Sequence, residues 1–373
     1  MLKKLFSLLI ITGLLVSVLS GLSACSDDSD AIWIGAIVTL SGNNSYYGND
    51  MLNSYKLAVD EINAAGGVLG RNLRIFEQDD AGDPNTATTA AARIISRGVD
   101  FVAGGYASGV IIPTMQQFYD EKLILLISNA NSTNITAQGF NQSFMINSPG
   151  SHAVVTLEKL LRHLGASRIA LIHQGDDYTK NLADLVTADL PSSYQIVATE
   201  LMNPGEADVS AIVTSIRNSG ADFVYWCGYH ADGSNVIKQL RRGGYDGHIA
   251  VGDGSASPDL IEAAGEDGEG VYVTSPPYVK LAEGGEKFIE DYTKKFGVGP
   301  GAYATLSYDT IYLLAAAIEQ AGTTELEAVR DAVQNIEYKG LSGTIRFTPD
   351  REPELSNFII MQIKDGDFIL IEP

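Results

Sequence analysis

Six short stretches of the sequence hold the residues able to do chemistry. "SGNNSYYGND" offers Tyr46 and Tyr47, "GGYASG" offers Tyr106 and Ser108, and "ISNANSTNIT" offers Asn131, Ser132 and Thr133. Further along, "HQGDDYTK" offers Tyr178, "YWCGYHADG" offers Tyr229, and "VGDGSAS" offers Asp253. Each begins where a short apolar run ends, and ligands of open α/β sheets bind at the carboxyl ends of strands. The first three stretches bring hydroxyls and N–H groups; the last three bring tyrosines and one carboxylate. Donors on one side and an acceptor on the other suit a zwitterion. "FVAGGYASGVIIP" reads as a buried strand, a glycine-rich turn and a helix, and a helix start attracts an anion. No Lys follows these glycines, so the anion is not expected to be a nucleotide phosphate.

Other chemistries are excluded by what the chain lacks. There is no G-x-S-x-G elbow and no H-E-x-x-H pair. The five histidines lack metal-ligand spacing, and the acidic loop "DDAGDP" fails the spacing of a calcium loop. That loop reads instead as a turn with Asp83 as a helix cap and Pro84 at the first helical position. "GGVLG" at 66–70 reads as a helix stop. Cys227 reads as an inert small hydrophobe at a strand end. The expectation is a binding protein, neither an enzyme nor the holder of a cofactor.

The elements that must position these residues alternate along the chain. Strands are expected at "AIWIGAIVTL", "LRIFEQ", "DFVAGG" and "LILLIS", with helices between them. "NDMLNSYKLAVDEINAAGG" places Leu52, Tyr55, Val59 and Ile62 on one helical face. The pattern then restarts with "SRIALIHQ", "YQIVATEL", "ADFVYWCGY", "HIAVGDG" and "GVYVTS". Such alternation predicts two α/β lobes, each a Rossmann-like, doubly wound parallel sheet. Breaks fall at "NSPGS" (147–151) and "TSPPYV" (274–279). The long helix in "YATLSYDTIYLLAAAIEQAG" suggests a return to the first lobe. "NFIIMQIKDGDFILIEP" reads as a hairpin turning at "DG".

The chain has 373 residues, 45% of them apolar, and 46 acidic against 25 basic residues give a net charge of −21. That length suits two domains. The charge argues against nucleic acid, which needs a basic face. Residues 1–24 read as a secretory signal, with Lys3 and Lys4 before an apolar run that ends in "LSAC". This is the pattern of a lipoprotein cleavage site, so Cys25 is expected to take a lipid and tie the protein to a membrane outside the cytoplasm. Residues 25–30 then form a polar tether. With Cys25 so used, Cys227 has no disulfide partner.

The motifs "VTLSGNNSYYGND", "EINAAGGVLG", "EQDDAGDP", "FVAGGYASGVIIP", "ADFVYWCGYHADG" and "ALIHQGDDY" together resemble the branched-chain amino acid binding proteins of ABC importers. These are type I periplasmic binding proteins, and the likeness covers nearly the whole mature chain. The resemblance implies two lobes joined by three crossovers, with the ligand clamped between them by hinge closure. The lobes are expected at 31–149 plus 278–350 and at 150–277 plus 351–373. It implies that Ser108 and Ser132, with nearby N–H groups, hold an α-carboxylate, and that Tyr229 and Asp253 hold an α-ammonium. Tyr47, Tyr106 and Tyr178 would line the walls. The implied partners are an amino acid or related small molecule and the permease subunits, with the binding protein itself a monomer.

Departures from the family pattern bear on the ligand. Asp253 stands where leucine-type proteins carry Glu, Tyr47 replaces a Trp, and Tyr106 takes a smaller aliphatic position. Ala81 and Ala107 stand where some members have a disulfide. Such a bulkier, more polar pocket suits another amino acid, an amide or a small aromatic acid. A protein that presents its ligand to a receptor instead of a permease is the alternative role.

Overall fold

The first parallel sheet runs in the order β2-β1-β3-β4-β5. Its strands are β1 (Ile32–Val38), β2 (Leu73–Asp79), β3 (Phe101–Gly104), β4 (Ile124–Ile127) and β5 (Ser143–Met145). The architecture is that of a computed structural model describing residues 30–276 and 278–372. The expected signal over 1–24 and the expected lipid site at Cys25 lie outside the described residues. β1, β3 and β4 are apolar nearly throughout because helices cover both faces of the sheet, as parallel sheets require.

Those helices are α1 (Ser45–Ala64), α2 (Pro84–Arg97), α3 (Ser108–Asp120) and the single turn α4 (Thr133–Thr136). Leu52, Tyr55, Val59 and Ile62 all lie on the buried face of α1, as their spacing predicts. Asp83 caps α2, accepting from Thr86 N at 2.8 Å, with Pro84 as the first helical residue. Such a cap contributes about 1 kcal/mol. The rest of the acidic loop is spent in the same way. Asp79 accepts from Leu40 N and Ala81 N, and Asp80 from Thr39 Oγ1 and Gly82 N, so these carboxylates build a turn.

The second sheet repeats the first. Its strands β6 (Arg168–His173), β7 (Gln195–Leu201), β8 (Phe223–Cys227), β9 (His248–Val251) and β10 (Tyr272–Ser275) run in the order β7-β6-β8-β9-β10. α5 (Gly150–Leu164) leads into β6, and between the strands lie α6 (Asp177–Asp189), α7 (Ser210–Ser219), α8 (His230–Arg242) and α9 (Pro258–Ala264). The chain then forms α10 (Gly285–Phe296), α11 (Ala304–Ala321), α12 (Leu326–Asn335) and a small ribbon, β11 (Tyr338–Gly340) with β12 (Gly343–Ile345). Finally β13 (Ile359–Lys364) and β14 (Asp367–Ile371) pair antiparallel and extend the second sheet beside β10. Asp365 and Gly366 both have positive φ, +52° and +76°, the twist a two-residue hairpin turn needs.

The chain passes between the sheets three times: after β5, after β10, and before β13. After the second passage α11 lies against α1, where Tyr308 and Tyr312 both donate to Glu61. Among the described residues no helix is long and apolar enough to cross a membrane.

Candidate functional site

The carboxyl ends of both sets of strands meet at a common gap. From the first sheet's side come Tyr47 on the first turn of α1, Tyr106 and Ser108 between β3 and α3, and Asn131 and Ser132 after β4. From the second come Tyr178 on α6, Tyr229 before α8, and Asp253 in a short turn after β9. The turn into α3 depends on Gly104, where φ is +154° and a Cβ would stand 2.1 Å from Ile37 O. Only glycine lets the chain leave β3 this close to β1.

The gap is walled by aromatic rings. Tyr47 and Tyr106 stack with centroids 4.5 Å apart and planes 14° from parallel. Tyr303, at the start of α11, sets its edge against both, at 5.7 and 5.8 Å. Tyr229 lies 6.0 Å from Tyr106 and 5.5 Å from Tyr178, and His230 meets Tyr47 edge-on. Burial raises the pKa of all five phenols, so they are neutral hydrogen-bonding groups. Burial likewise lowers the pKa of His230.

Asp253 lies at the centre, 2% exposed. Its Oδ1 accepts from Tyr178 OH at 2.7 Å; its Oδ2 accepts from Asn131 Nδ2 at 2.8 Å and Tyr303 OH at 3.1 Å. Asn147 Nδ2 stands 3.5 Å away. Burial pushes the carboxyl pKa up, opposed by the hydrogen bonds from Tyr178 and Tyr303. The next residue, Gly254, offers its carbonyl to Tyr47 OH and Tyr106 OH, each at 3.3 Å.

The other expected residues are placed as follows. Ser108 and Ser132 adjoin one another: Ser132 N donates to Ser108 Oγ at 3.2 Å, and Asn134 N donates to Ser132 Oγ at 3.2 Å. Both serines are buried, and Ser108 opens the thirteen-residue α3. Tyr229 does not share Asp253. Its hydroxyl donates to Asp176 Oδ1 at 3.3 Å, because Asp176 is brought there as the cap of α6. Tyr303 and Asn147 reach Asp253, His230 adjoins Tyr47 and Asp176 adjoins Tyr229, and the sequence did not single out these four candidates. Cys227 ends β8, fully buried, with a thiol pKa raised by burial. Among the described residues no group of three His, Cys, Asp or Glu is arranged to hold a metal.

A cavity of about 550 Å³ opens at the mouth of the gap, lined by Ala107, Gly109 and Asn134 on one side and Asp176, Asp177, Asn181 and Tyr229 on the other. Hydrogen bonds cross it. Asn134 Nδ2 donates to Asp177 Oδ1 at 3.0 Å, Asn181 Nδ2 to Thr133 Oγ1 at 2.9 Å, and Thr133 N to Asn181 Oδ1 at 3.1 Å. The arrangement suits the enclosure of a small polar molecule by two walls, each supplying part of its hydrogen bonding.

The chain is similar to known proteins of one family and fold. A family model described as periplasmic binding protein matches residues 31–367. A Leu/Ile/Val-binding protein, BraC3, of Rhizobium johnstonii is 30% identical over 309 residues, 82% of this chain and 83% of the relative. The crystal structure of a leucine binding protein, LivK, of Thermotoga maritima superposes with a TM-score of 0.85 at 24% identity, covering 92% of this chain and 98% of that one. The substrate binding protein LivJ of Streptococcus pneumoniae, solved with isoleucine, gives 0.82 at 24% identity, covering 92% and 100%.

Proposed function

The chain belongs to the periplasmic binding protein family and has its type I fold, and we propose that it is the substrate-binding component of an ABC importer, taking up a free amino acid between its two lobes. Family membership implies an extracytoplasmic protein. One observation carries the ligand class: a buried carboxylate, Asp253, belongs to one wall while Asn131 and Tyr303, which reach it, belong to the other. An α-ammonium placed on Asp253 would meet that acceptor, and the α-carboxylate would lie on the side of Ser108, Ser132 and the start of α3. Each charge-assisted hydrogen bond is worth about 1.5–3 kcal/mol. Two or three at each pole reach the roughly 8 kcal/mol of micromolar binding after ordering costs. A guest held by both walls stabilises only the closed arrangement, which is what a permease can distinguish.

The lobes in this reading are 31–149 plus 278–350 and 150–277 plus 351–373. The "LSAC" signal supports a lipid on Cys25 as anchor, and the binding role supports a monomer without catalytic activity. A melting-temperature screen against the free amino acids tests the ligand class, since a ligand of the folded state raises the melting point. A rise with one or a few is expected. No rise with any of them would refute the reading.

A further inference from the structure

The next inference rests on that reading and concerns the part of the guest beyond Cα. Tyr47 and Tyr106 direct both hydroxyls at one carbonyl, Gly254 O, each at 3.3 Å. O–H···O bonds settle near 2.7–2.8 Å, so one acceptor is shared by two long, weak bonds. Solvent does not compensate, because Tyr47 is 0% and Tyr106 6% exposed. The neighbouring donors differ: Tyr178 and Asn131 stand at 2.7 and 2.8 Å from Asp253. The longer, weaker bonds are therefore those of the stacked pair to the carbonyl, and Tyr47 also meets the Ser257 hydroxyl and Tyr106. A neutral phenol both donates and accepts.

Gly254 adjoins Asp253, so a guest anchored there by its ammonium has the first atoms of its side chain beside this pair. A methyl group at that point leaves the two buried phenols with their long bonds to the shared carbonyl, each other and the Ser257 hydroxyl. A hydroxyl or carboxamide gives them a partner. Sites built to hydrogen-bond a polar group reject the analogue lacking it far more strongly than apolar pockets reject an added methylene. We propose that the Tyr47–Tyr106 hydroxyl pair makes this protein prefer an amino acid with an uncharged polar side chain, hydroxyl or carboxamide, over its aliphatic isostere.

Two shape-matched pairs test this by calorimetry on the purified chain: threonine against valine, and asparagine against leucine. In whichever pair binds, the polar member is expected to bind at least tenfold more tightly. Tyr106→Phe and Tyr47→Phe should bring that ratio toward one by weakening the polar member alone. Thermal melts of the unliganded variants report whether they fold; should either not, the wild-type ratio still decides. An aliphatic member that binds as tightly as its partner, or a ratio unchanged in both Phe variants, overturns the inference and leaves the amino-acid reading standing. Binding of no free amino acid overturns both.

Discussion

Asp253 Oδ2 lies 2.8 Å from Asn131 Nδ2, and the two residues belong to opposite walls of the gap. This contact makes a single buried carboxylate the meeting point of the two sheets. In the proposed reading a guest ammonium there would compete with the protein's own amide and phenol donors, and would prevail by bringing a full positive charge to a buried carboxylate.

Asp253→Ala should therefore remove amino-acid binding. Leaving a buried charge without its partner costs about 3–5 kcal/mol, more than a hundredfold in affinity. The fold should survive, because the substitution also removes a buried carboxylate. Calorimetry with the amino acid found in the screen, beside a thermal melt of the variant, checks both halves. Affinity within threefold of wild type would show that the ammonium lies elsewhere.

The bonds at the mouth of the gap join one wall to the other, so they should set affinity of themselves. Asn181 joins Thr133 across it by two hydrogen bonds, and Asn134 joins Asp177 by a third. In the proposed hinge closure these bonds would hold the closed arrangement together, and apparent affinity scales with the fraction of molecules able to adopt it. Net worth per bond is about 0.5–1.5 kcal/mol, so losing the two that Asn181 makes should weaken binding by roughly five- to 150-fold in Asn181→Ala. The signature is a faster off-rate with an unchanged order of preference among amino acids, read by stopped-flow fluorescence. A changed preference would place Asn181 in contact with the guest.

Much of this was legible in the sequence because it is local. β1, β3, β4, β6, β8 and β9 are short, mostly apolar runs, and parallel strands covered on both faces need that composition. The Asp83–Pro84 cap and the Asp365–Gly366 turn follow from backbone preferences of single residues. What escaped depends on distant parts of the chain. Tyr303 reads as one more residue ahead of a long apolar helix; only the return of the chain after the second crossover brings it to Asp253, fifty residues away. Asn147 sits in a proline-marked break and meets Asp253 across a separation of 106 residues. β5 is three residues long and begins with Ser, too short to show a pattern. The hydroxyl of Tyr229 answers to a helix cap, Asp176, and a list of polar types cannot weigh that competition.

Asp309 illustrates a buried carboxylate that the fold requires. Burial raises its pKa to about 6, while Oδ1 accepts from Leu341 N and Oδ2 from both Ser342 N and Ser342 Oγ. Both oxygens are needed as acceptors. Asp309→Asn would turn an NH₂ group on donors it cannot accept from, leaving buried groups unpaired at about 1–3 kcal/mol. A drop in melting temperature of several degrees is expected by calorimetry at pH 7. An unchanged melt would mean that the 338–345 ribbon does not depend on this carboxylate.

Asp50 should respond in the opposite direction. It too is buried with its pKa raised to about 6, burial outweighing the bonds from Gly301 N and Tyr292 OH. Both of those donors meet Oδ1, at 2.8 and 3.0 Å, and Oδ2 has no hydrogen-bond partner. Because the folded pKa lies above the unfolded value near 3.9, the folded state holds the proton more tightly between about pH 4 and pH 6. This group's contribution is therefore favourable in acid and falls as pH rises through 6, reaching a penalty of about 3 kcal/mol at neutral pH. Asp50→Asn keeps the acceptor at Oδ1 and removes the charge. It should raise the melting temperature at pH 7.5, leave it little changed at pH 4.5, and flatten part of the decline between the two. Thermal melts of wild type and variant across that range decide the matter, and a variant less stable than wild type at pH 7.5 would mean that Asp50 is held there as a well-compensated anion.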